Sequence, residues 1–252
     1  MDFSHKRVLI TGGTRGIGRA CSLAFAERGA RVAVNFRQGR ESAQQTLEQL
    51  PGGPHALIQA DIADPDAVKA MVDRAVEDLG GLDIVVNNAG ISLLHPLEDL
   101  EYDQWQEAWN RTLSINLLGP ANVMYCAARF MKHNRGGRIV NVSSRGAFRG
   151  EPEQPAYGAS KAGLNALSQS LAVRLAQDKI FIGVVAPGFV ETDMSSSKLA
   201  GASGDSIRQQ SPLGRVARPE EVAFAVLFLA AEGSEFTTGA ILDVNGASYL
   251  RS

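Results

Sequence analysis

The chain has 252 residues, 44% of them hydrophobic and 21% charged, with a formal net charge of −2 at pH 7. That is the composition of a soluble globular protein long enough to bury a large core, and the charge excludes a general polyanion-binding surface, so neither nucleic acid nor anionic membrane is expected as the main partner. The longest apolar run, 222–231, is too short to span a bilayer and no signal-peptide core follows Met1, so the expected location is the cytoplasm.

Strands are predicted over 7–10, 31–35, 56–60, 84–86, 138–142, 180–185 and 241–244, alternating with helical patterns. This alternation implies parallel strands joined by helical crossovers, and the nearly continuous Val, Ile, Leu and Ala of each run implies that both sheet faces are covered. The expected fold is α/β: a doubly wound, seven-stranded parallel sheet with helices on both faces, in a single domain over 1–252. One stretch, 195–204, reads as irregular and rich in Ser, Gly and Ala, a mobile flap. Cys21 and Cys126 fall in separate apolar helical patterns, as two buried reduced thiols rather than a disulfide. His5, His55, His95 and His133 show no metal-ligand spacing and read as surface residues, so no metal is expected.

In such sheets ligands bind beyond the carboxyl ends of the strands, which directs attention to the residues that follow each run. After the first run come Thr11, Gly12, Gly13, Thr14, Arg15, Gly16, Ile17 and Gly18. Glycines spaced Gly-x-x-x-Gly-x-Gly let backbone amides at a helix N-terminus approach a pyrophosphate. A tight connection uses the same residues, but the position after the first strand favours a dinucleotide site. An NAD site would end the second strand in Asp or Glu to hold the ribose hydroxyls; here stand Asn35, Phe36 and Arg37. Arg15 and Arg37 together flank a 2′-phosphate, so NADP(H) is the expected cofactor.

Tyr157 and Lys161 share one helix face. A phenol titrates near pH ~10, too high for efficient acid-base work at neutrality, and the adjacent ammonium is expected to pull it down. Ser144, just past the fifth strand, would polarise a carbonyl oxygen beside the phenol. Tyr and Lys at this spacing also occur on solvated helix faces; what distinguishes this pair is its place in a chain that builds a dinucleotide site.

Together these residues resemble the short-chain dehydrogenase/reductase family, in its branch of single-domain members of this length. The TGGTRGIG loop, Asp61, the Asn-Asn-Ala-Gly run at 87–90, Asn116, Ser144, Tyr157 with Lys161, the Pro187-Gly188 pair and Thr192 stand in the family's order over nearly the whole chain. The resemblance implies a Rossmann-like fold and NADP(H)-dependent interconversion of a carbonyl and a secondary alcohol. Asp61 would then accept from the adenine amino group with Ile62 beside it, and Asn88, Ala89 and Gly90 would line the adenosine side. Lys161 would hold the nicotinamide ribose, and Pro187, Gly188, Val190 and Thr192 would contact the nicotinamide end. Tyr157 would give its proton to the substrate oxygen held by Ser144, and the Asn116 carbonyl would bind a water linking Lys161 to solvent. Pro120 offers separate support, because it lies four residues after Asn116 in a helical pattern and has no N–H to donate to that carbonyl. A plain kink or helix start reads the same way.

Within the family the chain is most similar to the subgroup that reduces 3-oxoacyl groups on acyl-carrier protein. That implies a thioester substrate, an acidic carrier as partner, and a homotetramer paired through the Tyr157 helix and the one before it, then through the last strand and helix. Residues 151–156 depart from that subgroup's Asn-containing segment, so another ketone, a sugar or a polyol remains open as substrate. A non-enzymatic NADP(H) sensor is the other class on this fold, one that usually lacks the Tyr or Lys kept here. Carrier docking would use Arg129, Lys132, Arg135 and Arg174 near the site mouth, although Lys132 also offsets a helix dipole. Ser92, Leu93, Leu94, Ala147, Phe148, Gln154, Phe189 and Met194 are expected to line an apolar substrate pocket with no charged residue as a specificity handle. Gly158, Ala159, Ala162, Gly163 and Ala166 leave one side of the Tyr157 helix small, for internal packing or a dimer interface.

Overall fold

Seven short apolar strands pair into one sheet in the computed structural model, which describes residues 1–200 and 203–251. They are β1 (Arg7–Ile10), β2 (Arg31–Phe36), β3 (Ala56–Gln59), β4 (Ile84–Asn87), β5 (Gly137–Val142), β6 (Ile180–Pro187) and β7 (Ile241–Val244). The order is β3-β2-β1-β4-β5-β6-β7 and every pair is parallel. The chain steps outward from β1 to β3, then returns to the other side of β1 with β4. That reversal opens a crevice at the carboxyl ends of β1 and β4, where such sheets bind ligands.

Both faces are covered. Alternate residues of one strand serve opposite cores: Val8 and Ile10 pack with Cys21 and Phe25 of α1 (Gly16–Ala26) and with Val222 and Val226 of the helix Pro219–Ala230. Leu9, on the other face, joins Val68 and Met71 of the helix Pro65–Leu79, Val123 and Met124 of the helix Gly119–His133, and Leu164 of the helix Pro155–Leu175. In chain order α2 is Arg40–Glu48, α3 Pro65–Leu79, α4 Tyr102–Leu113, α5 Gly119–His133, α6 Pro155–Leu175, α7 Asp193–Ala200, α8 Gly204–Gln209 and α9 Pro219–Ala230. Local signals account for the sharp ends. Asp64 accepts from the Asp66 and Ala67 amides ahead of Pro65, and α3 stops at Gly80 in the left-handed region.

Four sequence expectations need correction. Strand ends shift: β2 includes Phe36, β3 stops at Gln59, β4 includes Asn87, β5 starts at Gly137, and β6 extends to Pro187, which pairs with Val244. The stretch 195–204 is not irregular, since α7 occupies most of it and α8 begins at Gly204; Gly201 and Ala202 lie outside the described residues. Ser and Ala are adequate helix formers once anchored, here by Ser195 Oγ on the Val190 carbonyl and by buried Ile207. His95 is wholly buried rather than on the surface. Cys126 is only half-buried, whereas Cys21 is fully enclosed; both are free thiols, and burial pushes Cys21 up to about 12.

Candidate active site

The loop after β1 is held by side chains from three directions. Asn35 Oδ1 accepts from the Gly12 amide at 3.2 Å, while its Nδ2 donates to the carbonyls of Ile58 (3.2 Å) and Ala60 (3.1 Å). Thr11 Oγ1 accepts from the amides of Asn88 and Ala89, and Asn88 Nδ2 donates back to the carbonyls of Thr11 and Gly12, both at 3.0 Å. Ser22 Oγ donates to Gly13 O and Gly18 O, and Thr46 Oγ1 donates to Thr14 O. Two glycines are obligatory here. Gly12 has φ +60, and a Cβ on Gly18 would stand 2.1 Å from the Gly12 carbonyl oxygen.

Helix α1 starts at Gly16 with Arg15 as N-cap, and no side chain caps its first turn. Its orphan amides therefore offer a phosphate site beside two exposed cations, Arg15 and Arg37. Arg37 Nη1 lies 3.6 Å from Asp61 Oδ2, and Asp61 Oδ1 accepts from the Ala63 amide. Buried Ile62 packs on the start of α5. On the far side of the crevice Gly188 donates to Val244 O, Val190 bridges to Ala217, and the Thr192 methyl would lie 3.1 Å from a Cβ on Gly16. The residues predicted for a dinucleotide are thus gathered along one sheet edge, and their donors and cations fit a phosphorylated one.

The predicted chemistry-bearing residues also converge. Lys161 Nζ donates to Val142 O at 2.9 Å and lies 5.9 Å from the centre of the Tyr157 ring. A Cβ on Gly90 would stand 3.5 Å from that ammonium and 3.3 Å from Asn116 Oδ1. The Asn116 amide clamps Ile91 from both sides, accepting from its N–H and donating to its carbonyl at 2.9 Å each. Ser144 has extended backbone and its Oγ accepts from the Gly146 amide.

The electrostatics differ from the sequence expectation. Burial pushes the Tyr157 phenol above its ordinary value, a hydrogen bond with Ser144 opposes this, and the Glu151 charge adds to the rise. Burial also lowers Lys161 to about 8, its ammonium donating to Val142 O. Around Asn116 the helix widens to a π segment, Ser114–Leu118, in which Gly119 donates to Ser114 O. Pro120 supplies the cause, because its ring and missing N–H disfavour an α-helical turn against the Asn116 carbonyl.

Two residues escaped the sequence reading. Asn35 was noted only as a missing acid, although it organises the glycine loop. Arg145, directly after Ser144, is buried, stacks 5.1 Å from the Phe189 ring, and donates to Ser248 Oγ and Gln210 Oε1. With Phe189, Ile207 and Leu213 it lines a cavity of about 170 Å³. Ser92 bonds to Gln154, while Leu94 and Met194 are exposed. The basic quartet is also displaced from the expected site mouth. Arg174 lies near the end of α6, about 26 Å along the helix axis from Tyr157, Arg129, Lys132 and Arg135 cluster at the end of α5, and Lys132 pairs with Asp178 at 3.3 Å.

The family described as enoyl-(acyl carrier protein) reductase matches residues 12–247. Over 247 residues the chain is 37% identical to the 3-oxoacyl-[acyl-carrier-protein] reductase FabG of Staphylococcus aureus (strain Mu50), covering 97% of this chain and 98% of that one. The FabG of Thermotoga maritima is 37% identical over 254 residues, 99% of this chain and all of its own. Among solved structures, a short-chain dehydrogenase from Burkholderia cenocepacia in complex with NADP superposes with a TM-score of 0.90 at 36% identity, covering 98% and 99% of the two chains. A dehydrogenase/reductase from Sinorhizobium meliloti gives 0.91 at 32% identity, over 99% and 97%.

Proposed function

The chain belongs to the short-chain dehydrogenase/reductase family, and on that premise we propose that it is an NADPH-dependent reductase of a 3-oxoacyl thioester, acting on acyl-carrier protein. The observation that carries the reading is the convergence of Ser144, Tyr157 and Lys161 beside Gly90 at the mouth of the dinucleotide crevice. When bound, NADP(H) supplies or takes up the hydride at the substrate carbon. Ser144 Oγ and Tyr157 Oη hold the carbonyl oxygen, and Tyr157 transfers its proton to that oxygen as the alcohol forms. A raised phenol pKa keeps the proton in place until then, and the developing alkoxide is basic enough to take it. Lys161, cationic below about pH 8, stabilises the resulting phenolate and returns a proton to it through a water at the Asn116 carbonyl.

Arg15 and Arg37 would hold the 2′-phosphate of NADP(H), and Asp61 would accept from its adenine amino group. Exposed apolar side chains on α5, α6, α9 and β7 support a homotetramer; among the described residues no helix is long and apolar enough to cross a membrane. Arg145 favours a second reading, reduction of a more polar ketone, because a buried guanidinium borders the cavity beside Phe189. The test is NADPH consumption with a β-keto thioester, simple ketones and sugars, using wild type and Y157F. Thioester turnover lost by at least about a hundredfold in Y157F, with NADPH binding kept, is the expected result. Turnover confined to polar ketones would select the second reading, and an active Y157F would remove the mechanism.

A further inference from the structure

His95 belongs to none of the groups above. It lies between β4 and α4 with no exposed surface. Its own N–H donates to Glu153 O at 2.8 Å, and the Ala156 N–H donates to its Nε2 at 3.0 Å. A backbone amide can only donate, so Nε2 carries the lone pair and the ring proton sits on Nδ1, which donates to Leu93 O at 2.8 Å. The Trp109 ring stands edge-on at 6.4 Å and encloses the imidazole.

Ala156 is in the first turn of α6, where amides lack partners inside the helix, and the N-cap residue Gln154 contributes no side-chain acceptor. The imidazole therefore caps α6 from a different segment, one residue before Tyr157. After the His95 N–H on Glu153 O and the Ala156 N–H on the imidazole, Ser92 Oγ donating to Gln154 Oε1 makes a third tie between the same two segments.

We infer that His95 is a positioning residue for Tyr157: its neutral imidazole pins the first turn of α6 to the 91–97 segment and thereby fixes the phenol relative to Ser144. This rests on the reading of Tyr157 as proton donor. A small displacement of the acid is enough to slow turnover by one to two orders of magnitude, whereas most of the expected cofactor contacts, on the glycine loop, Arg37 and Asp61, lie outside the pinned turn.

The experiment compares H95L, which removes the acceptor, with H95Q, whose amide oxygen reaches the Nε2 position, alongside Y157F. Expected are a kcat about ten- to a hundredfold lower in H95L, unchanged NADPH affinity, recovery of most of kcat in H95Q, and an Nδ1-protonated tautomer for His95 by ¹⁵N NMR of the wild type. Wild-type kcat in H95L overturns the inference, as do equal impairment of H95Q and H95L or an Nε2-protonated ring. If H95L does not fold, H95Q and the tautomer decide. An active Y157F would sink the proton-donor reading itself; an inactive Y157F beside an unaffected H95L sinks only the positioning role.

Discussion

Lys161 shows how a residue suited to chemistry burdens the fold. Its ammonium is buried with one carbonyl acceptor, and burial lowers it from 10.5 to about 8. Between those values the unfolded chain binds more protons than the native one, so stability rises with pH across that window; below it the penalty is constant. K161M should therefore stabilise the cofactor-free protein at pH 7 by on the order of 2 kcal/mol, after subtracting the lost Val142 bond, while abolishing turnover. The advantage should fade by about pH 10.5, and urea melts at both pH values measure it; a less stable K161M at pH 7 would contradict a desolvated ammonium. Arg37 presents the opposite case. Its pair with Asp61 is long and about 40% exposed on each side, so it holds the guanidinium weakly and yields it to a 2′-phosphate. R37D should lower kcat/KM for NADPH at least tenfold and shift the preference toward NADH, since charge-assisted bonds supply roughly 1.5–3 kcal/mol. Equal effects on the two cofactors would remove Arg37 from the phosphate site.

At the scale of elements, the π segment before α5 depends on Pro120. P120A restores an N–H four residues after Asn116, so the helix can close on that carbonyl. Turnover should fall several-fold with NADPH affinity kept, as expected of a proton relay, and full activity in P120A would argue against a relay at this carbonyl. Which elements were legible in the sequence follows from how local their signals are. The seven parallel strands, the glycine turn and the Tyr157-Lys161 pair rest on periodicity and short spacing, and each appears where expected apart from shifted strand ends. Asn35 needs Gly12, Ile58 and Ala60 brought together from three elements, so no local pattern announces it. Arg145 was in plain view after Ser144, but its burial depends on Phe189, Gln210 and Ser248. The phenol's raised pKa is hidden from the sequence for a related reason: spacing gives the helix face of Lys161, not the burial of the phenol between elements.

Among the described residues, two groups of exposed apolar side chains lie on helices and strands at different places in the fold. Tyr125 on α5 and Val173 on α6 are 64% and 84% exposed, and both helices cover one face of the sheet. Phe224 and Phe228 on α9, Phe236, and Leu242 on the edge strand β7 form the other, at the far end of the strand order. Apolar surface on this scale rarely stays in water, and an open sheet edge invites pairing with a second copy. If each of these faces pairs with its own copy, the subunits close into a tetramer with two kinds of two-fold contact. The wild type is accordingly expected to sediment as a tetramer. F224E combined with F228E should leave dimers held through α5 and α6, V173E combined with Y125E should leave dimers held through α9 and β7, and the four changes together should give monomers. A monomeric wild type would reject the assembly, and a double variant that falls directly to monomers would show that the two faces are one interface.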